Sequence, residues 1–597
     1  MSLLERQECP LKPIISSARH PRPAAVVPSG SRWPRRVAAL GTAVALSVSL
    51  ATAAAAAPDP KPGAAGNGLA IAKVKAGTKA ERQKLMDLGL DVIDLTDTHA
   101  EVLLRGAADR AQLAGGHWQV EQVSDATDQL AAMAADRVTE ARREAARRAN
   151  PTSRTLAAGL PSGRVSYRTL DEAEQEMREL ERGYPDKVKV FELSRKSLLG
   201  HAILGMEISS DVRADSGKPV FLTTGLHHAR EWPTLEFTME FARDVLQNYA
   251  TDSHIKGLVD SSRLIVVPAV NPGGYQLSRD LTNEMKRKNC RVAAGRVPTR
   301  QQCAAASSQQ LGVDLNRNYA AFWGGPGSSA STTAETHYGA APTSEPEIAA
   351  LTDLLNSRQV VVAVNNHTPD ARLLRAPASP LEPVPAEVAL YDGLARQLGA
   401  ALGGWPTGPW PDVYYVASGV AEQEGLYANG TLGFTPELTP GHDGLERFHP
   451  RYQYVIDQYR GTGYYAGSSI RDALLIAWDA ANDPRTHSIL TGSAPPGIEL
   501  TISKDVTVNS SPVDRNGRSV VLPSALHIQS TMRVPAGGRF EWHVLPSLRQ
   551  SQQTSTLLQE SWVVSCRNSA GEVQRSVRVT IGRGETKAVD MSGCPAG

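Results

Sequence analysis

Three nearly continuous apolar runs constrain the fold of this chain more than any other feature. They are 219-PVFLTTG-225, 263-RLIVVPAV-270 and 359-QVVVAVNN-366, and helical stretches alternate with them between Gly163 and about Asp483. Strands that are apolar on both faces are typical of a sheet buried on both sides in an α/β protein. The pattern therefore predicts an α/β domain with a mixed sheet over residues 163–483.

Residues of metal-ligand type follow two of these runs directly. The segment 225-GLHHAREW-232 offers His228 and Glu231 three residues apart, and 363-AVNNHTPD-370 offers His367. Ligands of open α/β sheets collect at the carboxyl ends of strands, so the placement suits a functional site. Two histidines and one glutamate leave a fourth position for water, which is the composition of a catalytic zinc site. We expect one Zn²⁺ per chain at these residues.

A third segment, 433-GFTPEL-438, places Glu437 at the end of another strand-like run. A carboxylate in that position can serve as a general base toward water at the metal. The alternative is a helix-capping or surface carboxylate.

Five ordered motifs carry a family resemblance. HxREW at 228–232, NPGGY at 271–275, Arg287-Lys288, DLNRNY at 314–319 and the late FTxEL at 434–438 occur in this order, with a tyrosine before the last. This set resembles the zinc metallocarboxypeptidases, the carboxypeptidase A/B-like peptidases with bacterial secreted members. The resemblance runs from Val165 to Trp478, and it implies hydrolysis of the C-terminal bond of peptides or proteins that have a free C-terminus.

The resemblance also assigns roles around the metal. It makes His228, Glu231 and His367 the ligands and Glu437 the general base. It gives Arg287 the task of stabilising the oxyanion, an electrostatic role that is often large in catalysis. Asp314 matches the carboxylate that orients a zinc-binding histidine. His227, His442 and His449 are left as structural residues.

Other matched residues are expected to bind substrate. Asn316 and Arg317 match the pair that holds the terminal carboxylate, for which an arginine fork is suited. Arg230 matches a residue that contacts substrate further from the cut, and Tyr415 matches the mobile tyrosine over the terminal residue. Glu422, seven residues later, falls at the specificity position and predicts a preference for basic C-terminal residues. The alternative for Glu422 is a solvent-facing glutamate in an acidic patch with Glu424.

The chain departs from the family pattern beside two site residues. Thr368 and Pro369 follow His367 where the family commonly has Ser and Tyr, and Pro436 stands where an aromatic residue is usual. The subsite beyond the scissile bond should therefore differ.

Two other functions stay open: a metallopeptidase of cell-wall peptides with γ-D-glutamyl linkages, and a non-catalytic binding protein on a peptidase fold.

The N-terminus has the features of an export signal. Basic residues including Arg35 and Arg36 precede the apolar run 37-VAALGTAVALSVSLATAAAAA-57, which ends in small residues before Pro58. This pattern predicts a signal peptide over residues 1–57 and a secreted, extracellular protein without a membrane anchor after cleavage. A retained membrane anchor is the alternative, and the choice between a general and a twin-arginine export route stays open.

Cysteine usage agrees with export. After loss of Cys9 the four remaining cysteines form two local pairs, Cys290 with Cys303 and Cys566 with Cys594. An even number in an exported chain favours two disulfides, although other pairings are possible. The chain has no CxxC motif, so we do not expect these cysteines to bind zinc.

Two segments flank the central domain on its N-terminal side. Residues 68–124 follow the order β-α-β-β-α-β, which is ferredoxin-like and, by analogy with secreted proteases, suggests a pro-segment. Residues 125–162 form an arginine-rich helical linker, in which Arg142-Arg143 and Arg147-Arg148 are protease targets before Pro151. The alternative for this linker is a solvated connecting helix.

On the C-terminal side, residues 491–597 alternate in short runs between turn residues, which predicts a β-sandwich. The formal net charge of +1 gives no reason to expect nucleic acid or an anionic membrane as a partner. We expect a monomer.

Overall fold

The computed structural model describes residues 68–149, 159–293, 295–305, 307, 310–568 and 570–595. The expected signal peptide lies outside these residues, whereas the expected cleavage sites Arg142-Arg143 and Arg147-Arg148 lie within them, in a helix that ends at Ala149. Within the described part of the chain, none of the helices combines the length and the apolar character needed to cross a bilayer.

A small antiparallel sheet opens the described chain. Its order is β2-β3-β1-β4, and its helix α1 begins at a capping box between Thr78 and Glu81. Apolar residues of β1 and β3 pack on α1 and α2 on one face, and on the long helix α3 and the next domain on the other. The elements are β1 Ala70–Lys75, α1 Lys79–Met86, β2 Asp91–Leu95, β3 His99–Leu104, α2 Ala107–Gly115, β4 Val120–Asp125 and α3 Thr127–Ala149.

An eight-stranded mixed sheet forms the centre of the molecule. Its order is β11-β10-β12-β9-β7-β8-β6-β5, and the four strands β12, β9, β7 and β8 run parallel. The strands are β5 Val188–Glu192, β6 Leu204–Ile208, β7 Val220–Thr224, β8 Arg263–Val267, β9 Val360–Asn365, β10 Arg372–Arg375, β11 Thr407–Pro409 and β12 Leu432–Glu437.

Alternate residues of the central strands face two different apolar cores. Phe221 of β7 packs in the larger core with α4, α5, α10, α13 and α14, whereas Leu222 packs in a smaller core with α9. This two-sided burial explains why the strands are apolar throughout. The helices are α4 Leu170–Gly183, α5 Trp232–Asn248, α6 Ser253–Ser261, α7 Pro272–Arg279, α8 Arg300–Ala304, α9 Pro346–Ser357, α10 Val388–Ala401, α11 Trp410–Val413, α12 Ala421–Glu424, α13 Tyr452–Arg460 and α14 Ile470–Asn482.

Two antiparallel-rich sheets follow, with orders β18-β13-β23 and β17-β14-β21-β22, and they share one apolar core that includes Trp542 and Trp562. Both expected disulfides are confirmed, Cys290–Cys303 in the central domain and Cys566–Cys594 here. The strands are β13 Ser488–Ser493, β14 Glu499–Asn509, β15 Val513–Arg515, β16 Arg518–Val520, β17 Pro523–Arg533, β18 Arg539–Val544, β19 Arg549–Gln550, β20 Leu557–Leu558, β21 Trp562–Arg567, β22 Val573–Val579 and β23 Thr586–Asp590.

Candidate active site

The carboxyl ends of three parallel strands bring the site residues together. His228 and Glu231 lie between the end of β7 and the start of α5, in a turn that passes through Leu226 with φ of 53°. His367 follows β9, and Glu437 is the last residue of β12. A backbone bridge joins His367 to Glu437, with the His367 amide donating to the Pro436 carbonyl at 3.0 Å. Sheet pairing therefore fixes the third ligand beside the expected base.

The three expected ligands converge on one point. Among the described residues, His228, Glu231 and His367 are the group whose ligand atoms all lie within 4.8 Å of one another, and all three are buried. His228 Nδ1 lies 2.7 Å from one oxygen of Glu231, and His367 Nδ1 lies 3.1 Å from the other. The two Nδ1 atoms are 3.1 Å apart.

The donor set fits a zinc ion. His228 Nε2 faces Asp314 Oδ1 at 3.0 Å, an arrangement in which Nε2 carries the proton and Nδ1 offers a lone pair toward Glu231 and His367. Lone pairs that face one another repel unless a cation lies between them. Burial lowers the pKa of His367 and so favours the neutral ring that binds metal.

Arg287 and Asp314 form a buried ion pair next to these ligands. Arg287 Nη2 donates to Asp314 Oδ2 at 2.8 Å, and Arg287 Nη1 lies 3.9 Å from Glu231. Burial opposes ionisation of Asp314, but Arg287 and His228 outweigh it and hold the pKa of Asp314 well below its usual range. The guanidinium is thus oriented beside the metal ligands by a charged carboxylate.

Glu437 lines the cleft in a nearly buried position. Its exposed fraction is 6%, and burial together with the nearby charge of Glu231 raises the pKa of Glu437 well above its usual range. The same cleft is lined by Glu231, Arg287 and Tyr415. The expected base and oxyanion residue therefore share one cavity with one of the expected metal ligands.

Arg317 presents one free donor. Its Nε donates to the Gly327 carbonyl at 3.0 Å and its Nη1 to the Asn316 carbonyl at 2.6 Å, whereas Nη2 is buried and has no partner in the described structure. The Asn316 side chain accepts from the Ala421 amide at 3.1 Å. Neutral contacts thus orient a guanidinium whose charge is not neutralised by a carboxylate.

The loop that holds Arg317 is itself held by the C-terminal sheets. The Phe322 amide donates to the Asn509 carbonyl at 2.9 Å, and Ser511 Oγ donates to the Phe322 carbonyl at 3.0 Å. Gly327, which accepts from Arg317, lies so close to Val416 that a Cβ there would fall 1.8 Å from the Val416 carbonyl oxygen. The segment around Asn509 therefore supports the loop that orients Arg317.

Tyr415 lies in a half-buried position near Arg317, whose guanidinium carbon is 6.0 Å from the centre of its ring. Tyr414 and Tyr415 also pack against the apolar core of the N-terminal sheet. In this structure the expected mobile tyrosine is thus in contact with the N-terminal domain.

Glu422 and Glu424 are both fully buried, so the interpretation of them as a solvent-facing acidic patch is wrong. Glu422 accepts from Thr435 and Asn365 through one oxygen, and its other oxygen has no partner in the described structure. Burial raises the pKa of Glu422 and that of Glu424, the latter to about 7.

The three histidines left as structural are buried and contact residues outside the ligand set, although His227 also stacks on His367 with ring centres 5.4 Å apart. His227 Nε2 lies 2.8 Å from the Tyr319 hydroxyl, and His442 Nε2 lies 3.0 Å from the Tyr465 hydroxyl. His449 stacks on Trp232 with ring centres 3.8 Å apart.

Arg230 contacts a residue that the sequence did not single out. Its Nη1 and Nη2 donate to the two oxygens of Asp91 in β2 at 2.7 and 2.8 Å. Arg105 donates to the same carboxylate at 2.6 Å and forms an ion pair with Glu335 at 3.2 Å. A single sequence carries no signal for such a pairing, since Asp91 and Arg230 lie 139 residues apart.

The N-terminal domain covers the cleft. Residues of β2 and Met86 line it together with Glu231, Arg287 and Glu437, and the space between them has a volume of about 40 Å³. A water molecule needs roughly 10–15 Å³ by this measure, so about three fit. A peptide substrate does not fit while the N-terminal domain is in this position.

The zinc carboxypeptidase family model matches residues 173–471, half of the 597-residue chain. The chain therefore belongs to the zinc carboxypeptidase family, as the motifs predicted.

Individual relatives are similar over part of their length. Rat carboxypeptidase A2 is 30% identical over 260 residues, which cover 42% of this chain and 58% of the relative. Rat carboxypeptidase B is 30% identical over 41% of this chain and 58% of its own length. A zinc carboxypeptidase of Saccharothrix mutabilis subsp. capreolus is 26% identical over 42% of this chain and 52% of its own length. The chain thus spans about three fifths or less of the length of each of these relatives.

Among solved structures, carboxypeptidase A from Helicoverpa armigera superposes with a TM-score of 0.55 at 23% identity, over 70% of this chain and 99% of that one. Thrombin activatable fibrinolysis inhibitor superposes with a TM-score of 0.50 at 18% identity, over 69% of this chain and 99% of that one. These similarities show a carboxypeptidase-like α/β mixed-sheet fold.

Proposed function

We propose that this protein is a secreted, zinc-dependent metallocarboxypeptidase that hydrolyses the C-terminal peptide bond of peptides and proteins. The observation that carries the proposal is the convergence of His228, Glu231 and His367 within 4.8 Å, in a cleft that Glu437 and Arg287 also line. Family membership supports the same reaction class.

The surrounding residues can perform the remaining chemistry. Zinc held by His228, Glu231 and His367 would supply Lewis acidity toward water and toward the scissile carbonyl. Glu437, whose ionised form the charges of zinc and Arg287 would favour, takes the proton from the attacking water and returns it to the leaving amine. Arg287, oriented by Asp314, donates to the carbonyl oxygen as negative charge develops on it.

Recognition of the substrate's free C-terminus falls to Arg317 and Asn316. The unpartnered Nη2 of Arg317 is a buried, charged donor, and a substrate carboxylate would satisfy it. Tyr415, near the same guanidinium, would close over the terminal residue once the N-terminal domain no longer contacts it.

A preference for basic C-terminal residues rests on Glu422. Its unpartnered oxygen is fully buried, and an ammonium or guanidinium group of a substrate brought beside it would both satisfy and ionise it. Wild-type protein should then release C-terminal Lys and Arg faster than aromatic residues, and Glu422→Gln should abolish that order.

The N-terminal residues have the properties of an inhibitory pro-segment. The sheet order β2-β3-β1-β4 with two helices supports a ferredoxin-like fold for residues 68–124. Helix α3 binds the catalytic domain through Arg137 with Glu284 at 2.7 Å and Glu140 with the Tyr452 amide at 2.6 Å. Cleavage at the arginine pairs in the second half of this helix, Arg142-Arg143 or Arg147-Arg148, would release the cover from the cleft.

Two further assignments complete the proposal. The two sheets that share one core support a β-sandwich for the C-terminal domain. The two disulfides support export, because such bonds persist in oxidising compartments.

The decisive experiment incubates the mature protein, before and after trypsin treatment, with peptides that differ in their C-terminal residue. Mass spectrometry should show stepwise loss of single C-terminal residues. Glu437→Gln should bind zinc as the wild type does and lose turnover by a factor of at least about 10². A fully active Glu437→Gln variant would refute the assignment of the base, and release of muropeptide fragments alone would refute the substrate class.

A further inference from the structure

A second cavity lies between the catalytic domain and the C-terminal sheets. Its volume is about 420 Å³, compared with about 40 Å³ for the covered cleft. Its lining includes the first residues of β7 and β8 and the residue before β9, so it lies at the opposite ends of these parallel strands from the expected metal ligands. Strands β17 and β18 line its other side. Pockets of roughly 300–1,000 Å³ at domain interfaces commonly hold small ligands. This cavity therefore has the size and position of a ligand site separate from the cleft.

Three cations surround one carboxylate in the wall that the central sheet forms. Glu207 of β6 is 4% exposed and accepts from Arg263. Arg358 Nη2 lies 3.8 Å from the other oxygen of Glu207, which is beyond hydrogen-bonding distance. Lys189 lies directly opposite Glu207 in the pairing of β5 with β6, so these two side chains share one face of the sheet. Three positive charges and one negative charge leave an excess of two positive charges.

The neighbouring ion pairs do not reduce this excess. Asp211 lies 3.7 Å from Arg263, but it also pairs at 2.6 Å with Lys218, a further cation of the lining. Arg213, at the edge of the cavity, pairs with Glu181 at 3.3 Å. Each of these pairs adds one charge of either sign, so the excess around Glu207 stays at two positive charges.

Arg358 and Lys189 carry the donors that this excess leaves free. Arg358 Nε is buried and has no partner in the described structure. The Lys189 side chain is half-buried, and its ammonium forms no ion pair with any residue that the structure describes. Guanidinium and ammonium groups bind phosphate through charged hydrogen bonds. A phosphate monoester carries about 1.5 to 2 negative charges at pH 7 and a carboxylate only one, so phosphate matches the excess better.

The part of the lining next to β17 suits hydroxyl groups. Asp215 accepts from the Thr531 hydroxyl and forms no ion pair within the described part of the chain. Gln359 donates to the Ser530 hydroxyl at 2.7 Å, and the exposed Gln529 adds a side-chain amide. A carboxylate repels a second phosphate group but accepts hydrogen bonds from hydroxyls. The lining therefore favours a ligand that has an anionic end and a hydroxyl-bearing end.

We propose that this cavity binds a phosphorylated sugar or polyol, with its phosphate monoester between Lys189 and Arg358 and its hydroxyl groups toward Asp215. The site goes beyond the proposed function and does not depend on it, because none of its residues belongs to the zinc chemistry. Ligand and peptide substrate can be bound together, since they occupy opposite ends of the parallel strands.

The test measures binding by isothermal titration calorimetry in phosphate-free buffer. The full-length, uncleaved protein is used, because its cleft of about 40 Å³ leaves no room for a sugar beside the metal ligands. The probes are glucose 6-phosphate, its methyl phosphodiester, glucose and inorganic phosphate. Glucose 6-phosphate should bind at least about 10-fold more tightly than each of the other three, as expected when a charged hydrogen bond or a set of hydroxyl contacts is lost.

Variants identify the residues. Arg358→Gln and Lys189→Gln should each weaken the binding of glucose 6-phosphate at least about 10-fold. Arg195→Gln, which removes an exposed arginine paired with Asp353, should leave it unchanged. Circular dichroism checks that each variant is folded, and if one of the two does not fold, the other decides.

Several results would overturn the proposal. They are the absence of binding at millimolar glucose 6-phosphate, equal affinities for glucose and glucose 6-phosphate, and wild-type affinity in the folded Arg358→Gln or Lys189→Gln variant. Equal affinity for the methyl phosphodiester would refute the assignment to a free monoester and indicate a phosphate-linked polymer instead. Equal affinity for inorganic phosphate would refute the role of the hydroxyl contacts.

Discussion

Under the proposed inhibitory role of the N-terminal domain, replacing Asp91 with Asn should give the uncleaved protein part of the activity of the cleaved protein. The Asp91 carboxylate accepts three charged hydrogen bonds, two from Arg230 and one from Arg105, at 2.6 to 2.8 Å. Asparagine is nearly isosteric, but its amide group would turn donors toward two guanidinium groups. The substitution therefore weakens the closed state without altering the catalytic domain.

The size of the effect follows from the burial of this ion pair. Removing one partner of a buried pair costs about 3–5 kcal/mol. The lower end applies here, because in the closed state Arg105 keeps Glu335 as a partner. A cost of about 3 kcal/mol raises the open fraction about 150-fold.

The assay compares peptide hydrolysis by uncleaved and trypsin-cleaved protein, and their ratio gives the open fraction. Asp97→Asn is the matched control, since its side chain is 91% exposed and contacts Arg82 only at 3.7 Å. If cleavage activates both proteins but uncleaved Asp91→Asn stays within threefold of the uncleaved wild type, the Asp91 pair does not hold the cover closed.

Two further predictions concern buried charges of the catalytic domain. The Glu424 carboxyl accepts from the Ala320 and Ala321 amides, and burial raises its pKa from 4.5 to about 7. Between these values the folded protein holds a proton that the unfolded chain has released, so stability falls as pH rises, by about 2.5 kcal/mol from pH 5 to pH 8. The free energy of unfolding, measured in urea at pH values from 5 to 8, should fall less steeply with pH in Glu424→Gln than in the wild type. The exposed Glu121→Gln variant should show the wild-type dependence. Identical pH dependences for the wild type and Glu424→Gln would contradict the reasoning. Arg317→Met should reduce the preference for a free C-terminal carboxylate over its amide from about 30-fold to near unity in kcat/KM, because one charged hydrogen bond contributes about 2 kcal/mol. An unchanged preference in that variant would remove Arg317 from terminal recognition.

Much of the central domain could be predicted because its strands are buried on both faces. The runs around Leu222, Val266 and Val362 are mostly apolar, and the sheet contains strands whose ends lie within three residues of the ends of each predicted run. Residues directly after such strands necessarily share one edge of a parallel sheet. The convergence of His228, Glu231 and His367 was therefore accessible from spacing and motif together.

Contacts between distant segments could not be predicted in the same way. Asp91 is a short acidic residue in a small strand, and nothing in its local pattern marks Arg230 as its partner. The burial of Glu422 and Glu424 was equally hidden, because an acidic pair in sequence usually lies in solvent. Glu422 is contacted by Thr435 and Asn365, and Glu424 by the amides of Ala320 and Ala321. None of these four residues is a neighbour of Glu422 or Glu424 in the sequence.

The hydrogen bonds between Asn509, Ser511 and Phe322 have a consequence for how this protein could be divided or recombined. A catalytic fragment that ended before β13 would keep every zinc ligand and the base, yet the loop that orients Arg317 would lose its outer support. Such a fragment should hold metal normally while discriminating poorly between a free terminus and an internal stretch of chain. A replacement C-terminal module could restore discrimination only if it brought an equivalent segment to the same loop. Exchange of whole modules among relatives would then have to preserve this small contact as well as the wider interface.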